Sequence, residues 1–523
     1  MTIPSTTTSQ SPQFNVRKIA IIGAGPSGLA AAKYLRAEQA LDEIVIIEQR
    51  DCVGGLWNYT PDYRTDSTFN VPNLDPNVDL NSSKRNQKRQ NRGTGGPNGG
   101  TPSEKIERGD GIGMQRRGKK TFVSPIYERL ETNIPRTLMG FSDHEFPDES
   151  QLFPGHKTVL KYLEEYAEDV RDLIRFNVEV VDVRLRGAAE GADGSREKWV
   201  VSTISTAGGG QCEDVYDAVV VASGHFNVPF IPDIVGITEW DEMYPGVISH
   251  SKFYRKPEEL IDKKVIVVGN SASGLDIGSQ IATFSKLPLI CSQRSESYLQ
   301  LGPADYRKDV PPIAQFIPKS RTVVFDDGTR ETDIDAIVFC TGYLYSYPFL
   351  SSLNPPLITH GARVENTYQH LFYAPHPTLS LLVLNQKVIP FPVAEVQSAV
   401  LARVYSNRLR LPSYTEMRDW ESRTVAEKGS TREFHLLKFP DDAEYINLLY
   451  DWAASTPNVT GKMPPRWGQW QYWARERFPA IRKAFVQEGE GRKNIRTIKE
   501  LGFDFEEWKK EERENEDGSK RLL

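Results

Sequence analysis

Cysteine is scarce in this chain of 523 residues, which has only Cys52, Cys212, Cys291 and Cys340. The four are far apart, form no CxxC pair and do not cluster with histidine, which argues against a metal site or a redox-active dithiol. Nothing in their spacing suggests a disulfide scaffold either. We therefore expect the protein to work in a reducing compartment.

Long hydrophobic runs are also missing. No uninterrupted apolar stretch reaches 18 residues, so no transmembrane segment is expected, and the polar N-terminus lacks the apolar core of a signal peptide. The net charge of −6 is mild and argues against a nucleic-acid partner. These absences together predict a cytoplasmic protein.

Residues 81–120 differ in composition from the rest of the chain. They contain no aromatic residue, and eleven Lys/Arg stand against three Asp/Glu, a net charge of +8. Such a segment cannot bury enough apolar surface to offset its ordering entropy, so we predict a disordered basic insertion. The alternative is a basic arm for RNA or acidic lipid. Residues 1–15 are predicted to be a disordered leader, and 506–523 a charged flexible tail.

A glycine-rich turn follows the apolar strand RKIAIIG and opens a helix. In this turn Gly23 permits a tight bend, Gly25 lets a pyrophosphate approach the backbone, and Gly28 lets helix and strand pack closely. The next strand ends in Glu48, 20 residues after Gly28, where a carboxylate can accept hydrogen bonds from ribose hydroxyls. The pattern predicts a site for a nucleotide with free ribose hydroxyls, such as FAD.

A second turn of the same kind follows the strand KKVIVVG. It contains Gly269, Ser271, Ser273 and Gly274, with Ser271 in place of the middle glycine. The position 20 residues beyond Gly274 is Arg294, where the first unit has an acid. A guanidinium can pair with a 2′-phosphate, so this site suits NADPH. The alternatives are a purely structural βαβ unit and a solvated surface arginine.

Strands and helices alternate along the chain, which predicts an α/β fold with two dinucleotide-binding, Rossmann-like domains. The segments 219–224 and 337–342 are expected to be chain crossings between a larger FAD domain and a smaller NADPH domain inserted into it. The predicted bounds are 16–229 and 332–505 for the FAD-binding domain and 230–331 for the NADPH-binding domain.

The linker YPGVISHSKFY at 244–254 fits the pattern FxGxxxHxxx(Y/F) through Gly246, His250 and Tyr254, with Tyr244 in place of the leading phenylalanine. By this motif, the most specific of several, the chain resembles the flavin-containing monooxygenases, particularly the soluble microbial and fungal ones. The related Baeyer–Villiger enzymes carry a tryptophan version, and Tyr254 points away from them. The other matching segments are GGLWNY (54–59), SPIYERLETNIP (124–135), FSDHEFP (141–147), FCTGY (339–343) and FPVAEVQSAVLARV (391–404).

This resemblance covers nearly all of residues 17–415 apart from the basic insertion, and it implies a reaction. NADPH would reduce FAD, and reduced flavin would react with O2 to give a C4a-hydroperoxide. That species would pass one oxygen atom to a soft nucleophile, an amine nitrogen or a sulfur. The protein's task would be to exclude water and fix hydrogen bonds. Ser271 and the insertion depart from the family pattern.

The resemblance also implies roles for individual residues. We expect Asn133 to donate a hydrogen bond at the flavin, the alternative being a turn residue. Trp57 would pack on the flavin or, alternatively, in the core, and His250 would hold the linker rather than act as an acid or base. The residues expected to contact FAD are Gly23, Gly25, Pro26, Ser27, Gly28, Glu48, Gln49, Arg50, Gly55, Leu56, Trp57, Thr341 and Gly342. Those expected to contact NADPH are Gly269, Ser271, Ser273, Gly274 and Arg294.

Three functions remain open from the sequence. The first is N- or S-oxygenation of small molecules, with O2 and an amine- or sulfur-containing substrate as partners. The second is N-hydroxylation or Baeyer–Villiger oxygenation of a dedicated metabolite. The third is a non-enzymatic protein that senses NADPH. A homodimer is the default expectation for the assembly.

Overall fold

The structure is a computed structural model that describes residues 14–61, 69–77, 122–187, 197–297, 305–456 and 461–520. The predicted insertion at 81–120, and all but the last two residues of the predicted leader, lie outside the described residues. None of the helices in the described part combines the length and apolar character needed to cross a lipid bilayer.

The described residues form twenty strands. They are β1 (Lys18–Ile22), β2 (Glu43–Ile47), β3 (Ile174–Arg175), β4 (Val178–Arg186), β5 (Lys198–Ser205), β6 (Gln211–Tyr216), β7 (Ala218–Val221), β8 (Val228–Pro229), β9 (Ile248–His250), β10 (Val265–Val268), β11 (Leu289–Ser292), β12 (Arg307–Val310), β13 (Ile313–Ile317), β14 (Thr322–Phe325), β15 (Arg330–Thr332), β16 (Ala336–Phe339), β17 (Tyr343–Leu344), β18 (Thr367–Tyr368), β19 (Phe372–Tyr373) and β20 (Leu379–Leu381).

The α-helices of the described residues pack around these strands. They are α1 (Pro26–Ala37), α2 (Arg136–Met139), α3 (His156–Tyr166), α4 (Ile237–Met243), α5 (Ala272–Ala282), α6 (Pro390–Tyr405), α7 (Tyr414–Lys428), α8 (Asp441–Ala454), α9 (Gln469–Gln487) and α10 (Phe505–Lys520).

The larger sheet has seven strands in the order β18-β19-β20-β7-β1-β2-β3, and the run from β20 to β3 is parallel. It is buried on both faces, as parallel sheets usually are. Ile19 and Ile21 of β1 face the core formed with α1 and α6, whereas Ala20 and Ile22 face the core formed with the antiparallel sheet β4-β5-β6. The alternation follows from the two-residue repeat of a strand.

The second sheet is parallel throughout, in the order β12-β11-β10-β16-β9. Helix α5 packs on one face of it, and the antiparallel sheet β13-β14-β15 lies on the side of the other face. Strand β16 pairs with β10, so this sheet extends to Phe339, beyond the boundary at residue 331 that the sequence suggested.

The two sheets are joined where the chain passes from one to the other. Strand β8 leaves the larger unit and pairs antiparallel with β17, which returns to it. The two crossings therefore lie side by side. This arrangement is the α/β fold with a smaller dinucleotide-binding unit inserted into a larger one, as the sequence predicted.

The C-terminal residues are more regular than the sequence suggested. Residues 505–520 form helix α10, where a flexible tail was predicted from residue 506. The reason is aromatic packing, because Phe505 and Trp508 lie with ring centroids 5.3 Å and 6.1 Å from Trp473 of α9. The high charge of residues 506–523 suggested a flexible tail and did not indicate this aromatic contact with α9.

Candidate functional site

The first glycine-rich turn has the geometry that a bound dinucleotide requires. Gly23 has φ +106°, and a Cβ there would lie 2.7 Å from the carbonyl oxygen of Ala222. A Cβ at Gly28 would lie 1.9 Å from the carbonyl oxygen of Gly23. Helix α1 starts at Pro26 with no side-chain cap and no acid in its first turn. Its N-terminus can therefore receive the phosphates of FAD.

The segment Gly55–Trp57 forms a 3₁₀ turn against the first glycine-rich turn. A Cβ on Gly55, which has φ +56°, would lie 3.0 Å from the Cα of Gly25, so the two backbones lie close together. Leu56 and Trp57 are half-buried, and Trp57 packs against the main hydrophobic core. This contact agrees with the core alternative for Trp57, and the flavin contact stays a prediction.

Glu48 is buried and holds the loop between β1 and α1. Its Oε2 accepts from the Ala24 N–H at 2.8 Å, and its Oε1 accepts from the Arg50 N–H at 2.9 Å. Burial raises the pKa of this carboxyl above its ordinary value, while the two backbone donors oppose that shift. Glu48 thus lies beside the glycine-rich turn, and its contact with ribose hydroxyls stays a prediction.

The two residues after Glu48 connect this strand end to other loops. The carbonyl of Gln49 accepts from the hydroxyl of Thr206 at 3.1 Å. The guanidinium of Arg50 donates to the carbonyl of Gly55 at 2.8 Å and to that of Phe122 at 3.1 Å. Arg50 thereby ties the 3₁₀ turn to the end of β2. These contacts place the predicted FAD residues of both segments together.

The second turn repeats the geometry of the first. Gly269 has φ +105°, and a Cβ there would lie 2.7 Å from the carbonyl oxygen of Cys340. A Cβ at Gly274 would lie 1.9 Å from the carbonyl oxygen of Gly269. Ser271 has φ −80° and ψ −170°, close to φ −79° and ψ −178° for Gly25. Serine therefore replaces glycine here without backbone strain, and its exposed side chain stands at the start of α5.

Ser273 and Arg294 are exposed at the same edge of the second sheet. Arg294 follows β11, and the neighbouring Gln293 accepts a hydrogen bond from the amide of Asn270 at 2.7 Å. The strand end that carries Arg294 is therefore fixed to the glycine-rich turn. Since Ser292 pairs with Val268 as Ile47 pairs with Ile22, Gln293 occupies the position of Glu48, and Arg294 is the next residue.

The linker histidine is fully buried and acts as a clamp. Its Nε2 lies 3.0 Å from the carbonyl oxygen of Gly342, and its Nδ1 accepts from the Lys252 N–H at 3.1 Å. Because a carbonyl only accepts and an N–H only donates, the proton of His250 lies on Nε2. Burial lowers its pKa to about 3. His250 is therefore a neutral hydrogen-bonding group across the physiological range.

The remaining linker residues support this segment. Gly246 is exposed with φ +86°. Tyr254 is buried, donates from its hydroxyl to Gln280 of α5 at 3.2 Å, and contacts the ring of Tyr127 edge-on at 5.4 Å. The linker is thus attached both to the second unit and to the segment around residue 127.

The chain crossing at Thr341 and Gly342 meets the linker. The Thr341 hydroxyl donates to the carbonyl of Phe230, and the Phe230 N–H donates to the carbonyl of Gly342 at 2.9 Å. These residues were predicted to contact FAD. In the structure they lie at the carboxyl end of β16, next to the second glycine-rich turn.

Asn133 is exposed in a loop beside α3. The backbone N–H of the preceding Thr132 donates to the carbonyl of Pro154 at 3.0 Å. His156, the first residue of α3, has its ring 5.2 Å from Tyr59, just beyond the 3₁₀ turn at 55–57. The loop of Asn133 thus neighbours the segment expected to touch flavin.

Three basic residues near these turns were not found by the sequence analysis. Lys252 is buried, and burial together with Arg255 and Arg50 lowers its pKa to about 7. Arg255 is buried and donates to backbone carbonyls that include Ser124 at 3.0 Å. Arg432 donates to the carbonyl of Thr341 at 2.9 Å. Lys252 lies within the linker motif and Arg255 directly follows it, but no local pattern marks Arg432.

The cysteines show no sign of redox chemistry in the described residues, where all four are free. Burial raises the pKa of the Cys52 thiol to about 11, and its sulfur lies 3.2 Å from Asn58 Oδ1. Buried Cys340 packs against the second glycine-rich turn. A flavoprotein that reduces disulfides needs a reactive thiol pair, which these residues do not form.

Comparison with known proteins decides the family. The family profile described as "Flavin-binding monooxygenase-like" matches residues 104–302 and 311–460, and a "NAD(P)-binding Rossmann-like domain" profile matches 21–73. This chain belongs to the flavin-containing monooxygenases. It is therefore a monooxygenase with FAD and NADPH as cofactors, and it acts on O2 and a small-molecule substrate.

Relatives of this flavin-containing monooxygenase come from plants and fungi. "Flavin-containing monooxygenase FMO GS-OX-like 2" of Arabidopsis thaliana is 33% identical over 467 residues, which cover 85% of this chain and 86% of the relative. "Flavin-containing monooxygenase iboF" of Amanita muscaria is 30% identical over 490 residues, covering 84% and 88%. Among solved structures, S-allyl-L-cysteine S-oxygenase from Allium sativum is 28% identical with a TM-score of 0.70, covering 93% and 96%.

Proposed function

We propose that this monooxygenase transfers one oxygen atom from O2 to a nitrogen or sulfur of a small molecule. The observation that carries the proposal is the pair of glycine-rich turns with matching geometry, one beside the buried carboxylate Glu48 and one beside the exposed cation Arg294. The first suits FAD, and the second suits the 2′-phosphate of NADPH. Bound FAD, reduced by NADPH, supplies the chemistry that activates O2.

The chain's own residues would position the cofactors and keep water away. The buried linker clamp of His250 on Gly342 fixes the segment between the two turns, and Tyr254 fixes the linker to α5. Since His250 stays neutral, the clamp does not move protons at physiological pH. We assign Asn133 the role of an amide donor at the flavin, because its loop neighbours the 3₁₀ turn at 55–57 and its side chain is exposed.

The first substrates to test are thioethers. The Allium sativum structural relative is named an S-oxygenase, and Tyr254 stands where Baeyer–Villiger enzymes carry tryptophan. A sulfur lone pair is a soft nucleophile that needs no activation by a side chain. The amine alternative follows the same chemistry, whereas a ketone does not act as a soft nucleophile.

The test is product analysis with the purified FAD-loaded enzyme. Thioethers, tertiary amines and cyclic ketones are offered with NADPH in air, while NADPH, O2, product and hydrogen peroxide are all counted. We expect one sulfoxide or N-oxide for each NADPH and each O2, the second oxygen atom leaving as water. Lactone formation from ketones, with no turnover of thioethers or amines, would overturn the proposal, whereas hydroxylation of one amine alone would restrict it to the N-hydroxylating alternative.

Two variants test the residue assignments. Asn133→Asp should retain FAD but release more hydrogen peroxide for each NADPH, and a normal product yield would remove Asn133 from the site. Arg294→Ala should raise the dissociation constant for NADP⁺ with little change for NAD⁺. A lost charged hydrogen bond of about 1.5–3 kcal/mol corresponds to a factor of roughly ten to a hundred. An equal loss for both nucleotides would refute the 2′-phosphate role.

A further inference from the structure

Arg432, in the C-terminal part of the chain, contacts both segments that connect the two sheets, at Phe230 and at Thr341. It opens the 3₁₀ turn Arg432–His435 between α7 and α8. Its Nη1 donates to the carbonyl of Thr341 at 2.9 Å, and its guanidinium carbon lies 4.2 Å from the centre of the Phe230 ring. Because Thr341 follows β16, the guanidinium stands at the carboxyl edge of the second sheet, where α/β folds bind nucleotides.

In the described part of the chain, Arg432 is not ion-paired with any carboxylate. No carboxylate there lies within 4.0 Å of it, and its Nη2 is buried without a hydrogen-bond acceptor. Its sequence neighbour Glu433 accepts a hydrogen bond from the Thr431 hydroxyl instead. Burial lowers the pKa of Arg432 and the positive charge of Arg294 acts in the same direction, whereas Tyr345 and the charge of Glu433 oppose the shift. Two cations at one sheet edge, neither of them ion-paired with a carboxylate in the described residues, favour a bound anion near them.

The strand order shows where that anion would lie. Strand β10, which leads into the glycine-rich turn and α5, lies between β11, which precedes Arg294, and β16, which precedes Thr341. In dinucleotide-binding units the pyrophosphate sits at the helix N-terminus after the first strand, and the adenosine ribose lies toward the second. Arg294 is therefore on the 2′-phosphate side of the pyrophosphate, and Arg432 is on the opposite side.

We propose that Arg432 binds the pyrophosphate of NADPH and so forms a second anion contact, separate from Arg294. This inference rests on the proposed placement of NADPH at the turn Gly269–Gly274. Its consequence is a distinct selectivity. Arg294 distinguishes NADPH from NADH, whereas Arg432 binds the group that the two cofactors share.

The test uses Arg432→Gln in the FAD-loaded enzyme. Glutamine keeps an N–H that can donate to the Thr341 carbonyl but removes the charge, so it separates anchoring from phosphate binding. Calorimetric titration gives dissociation constants for NADP⁺, NAD⁺ and 2′,5′-ADP, which carries the 2′-phosphate and the adenosine-side phosphate but lacks the second phosphate, on the side of Arg432. We expect the constants for NADP⁺ and NAD⁺ to rise by the same factor, about ten to a hundred, and that for 2′,5′-ADP to stay unchanged.

Arg294→Ala is the complementary variant, and it should weaken NADP⁺ and 2′,5′-ADP but not NAD⁺. Arg330→Ala, an exposed arginine on β15, is the control and should change none of the three. FAD content and melting temperature establish that each variant is folded. Should Arg432→Gln not retain FAD, Arg432→Lys is measured, which keeps the charge and should weaken both dinucleotides severalfold while sparing 2′,5′-ADP.

The outcomes separate this inference from the function on which it rests. Unchanged NADP⁺ and NAD⁺ binding in Arg432→Gln would show that Arg432 only anchors the crossings and would overturn the inference. Weaker binding of NADP⁺ and 2′,5′-ADP with normal NAD⁺ would move the contact to the 2′-phosphate and also overturn it. If the unmodified enzyme bound no NADP⁺, the proposed function itself would fail.

Discussion

Gly274 and Gly278 offer a matched pair of substitutions within one helix. Both are buried residues of α5. A Cβ at Gly274 would lie 1.9 Å from the carbonyl oxygen of Gly269, about 1.5 Å short of ordinary contact at 3.4 Å, whereas a Cβ at Gly278 would lie 3.5 Å from Leu289 Cδ2. Only the first methyl group forces the helix away from the turn, because the atom it meets is backbone.

We expect Gly274→Ala to lose NADP⁺ binding and keep FAD. A shift of about 1.5 Å at the start of α5 would move the phosphate-binding N–H groups out of hydrogen-bond range. The free energy of NADP⁺ binding should then become less favourable by more than about 1.4 kcal/mol, which is a tenfold loss of affinity. Overpacking itself costs roughly 1–3 kcal/mol of stability. Gly278→Ala should bind NADP⁺ normally and gain up to about 1 kcal/mol, since alanine favours helix.

The assay titrates NADP⁺ into each FAD-loaded variant, while the flavin absorbance reports that the first turn is intact. Normal NADP⁺ affinity in Gly274→Ala would refute the argument that this glycine sets the contact between helix and turn. Equal losses in Gly274→Ala and Gly278→Ala would show that α5 tolerates no added methyl group, whatever its position.

Three further predictions concern buried polar groups. Burial is the main cause that lowers the pKa of Lys252 to about 7, whereas the ordinary value of about 10.5 holds in the unfolded chain. Between these two pH values the unfolded state binds more protons, so the free energy of unfolding rises with pH. In Lys252→Met the melting temperature should therefore rise less from pH 7 to 9 than in the unmodified enzyme, and an equal rise would contradict this. His250→Asn should slow turnover yet keep the shape of the pH–rate profile between pH 5 and 8, because the pKa of His250, about 3, lies outside that range. If the variant lost an ionisation near pH 6.5, His250 would titrate during turnover and this prediction would be wrong. Arg475→Met should lower the free energy of unfolding by about 3–5 kcal/mol in denaturant titration, because the buried Asp442 carboxylate, 2.7 Å from Arg475 Nε, loses its partner. The control Lys493→Met removes an exposed ion pair and should change the free energy of unfolding by less than about 1 kcal/mol.

The parts of the site that could be predicted from sequence are those set by local spacing. Gly23 and Gly28, like Gly269 and Gly274, lie five residues apart, and the contact between each pair forms within one strand–turn–helix unit. The same holds for Glu48, because the strand after the first helix returns next to β1. Local geometry thus fixes these residues whatever the rest of the chain does.

The parts that could not be predicted depend on contacts between distant segments. Arg432 lies 91 positions from Thr341 and reaches it only because the C-terminal helices fold back over the chain crossings. Likewise, the pairing of β16 with β10 places Ala336–Phe339 in the second sheet, although the sequence suggested a boundary at residue 331. The hydrophobic pattern within either segment does not predict which distant segment it will contact.

The antiparallel pairing of Val228 and Pro229 with Leu344 and Tyr343 has a consequence for engineering. A unit whose two ends emerge next to each other can be cut out and replaced by the equivalent piece of a homologue without stretching the host. A chimera joined at these four residues would therefore exchange the second glycine-rich turn together with Arg294, while Arg432 and the first glycine-rich turn remain those of the parent.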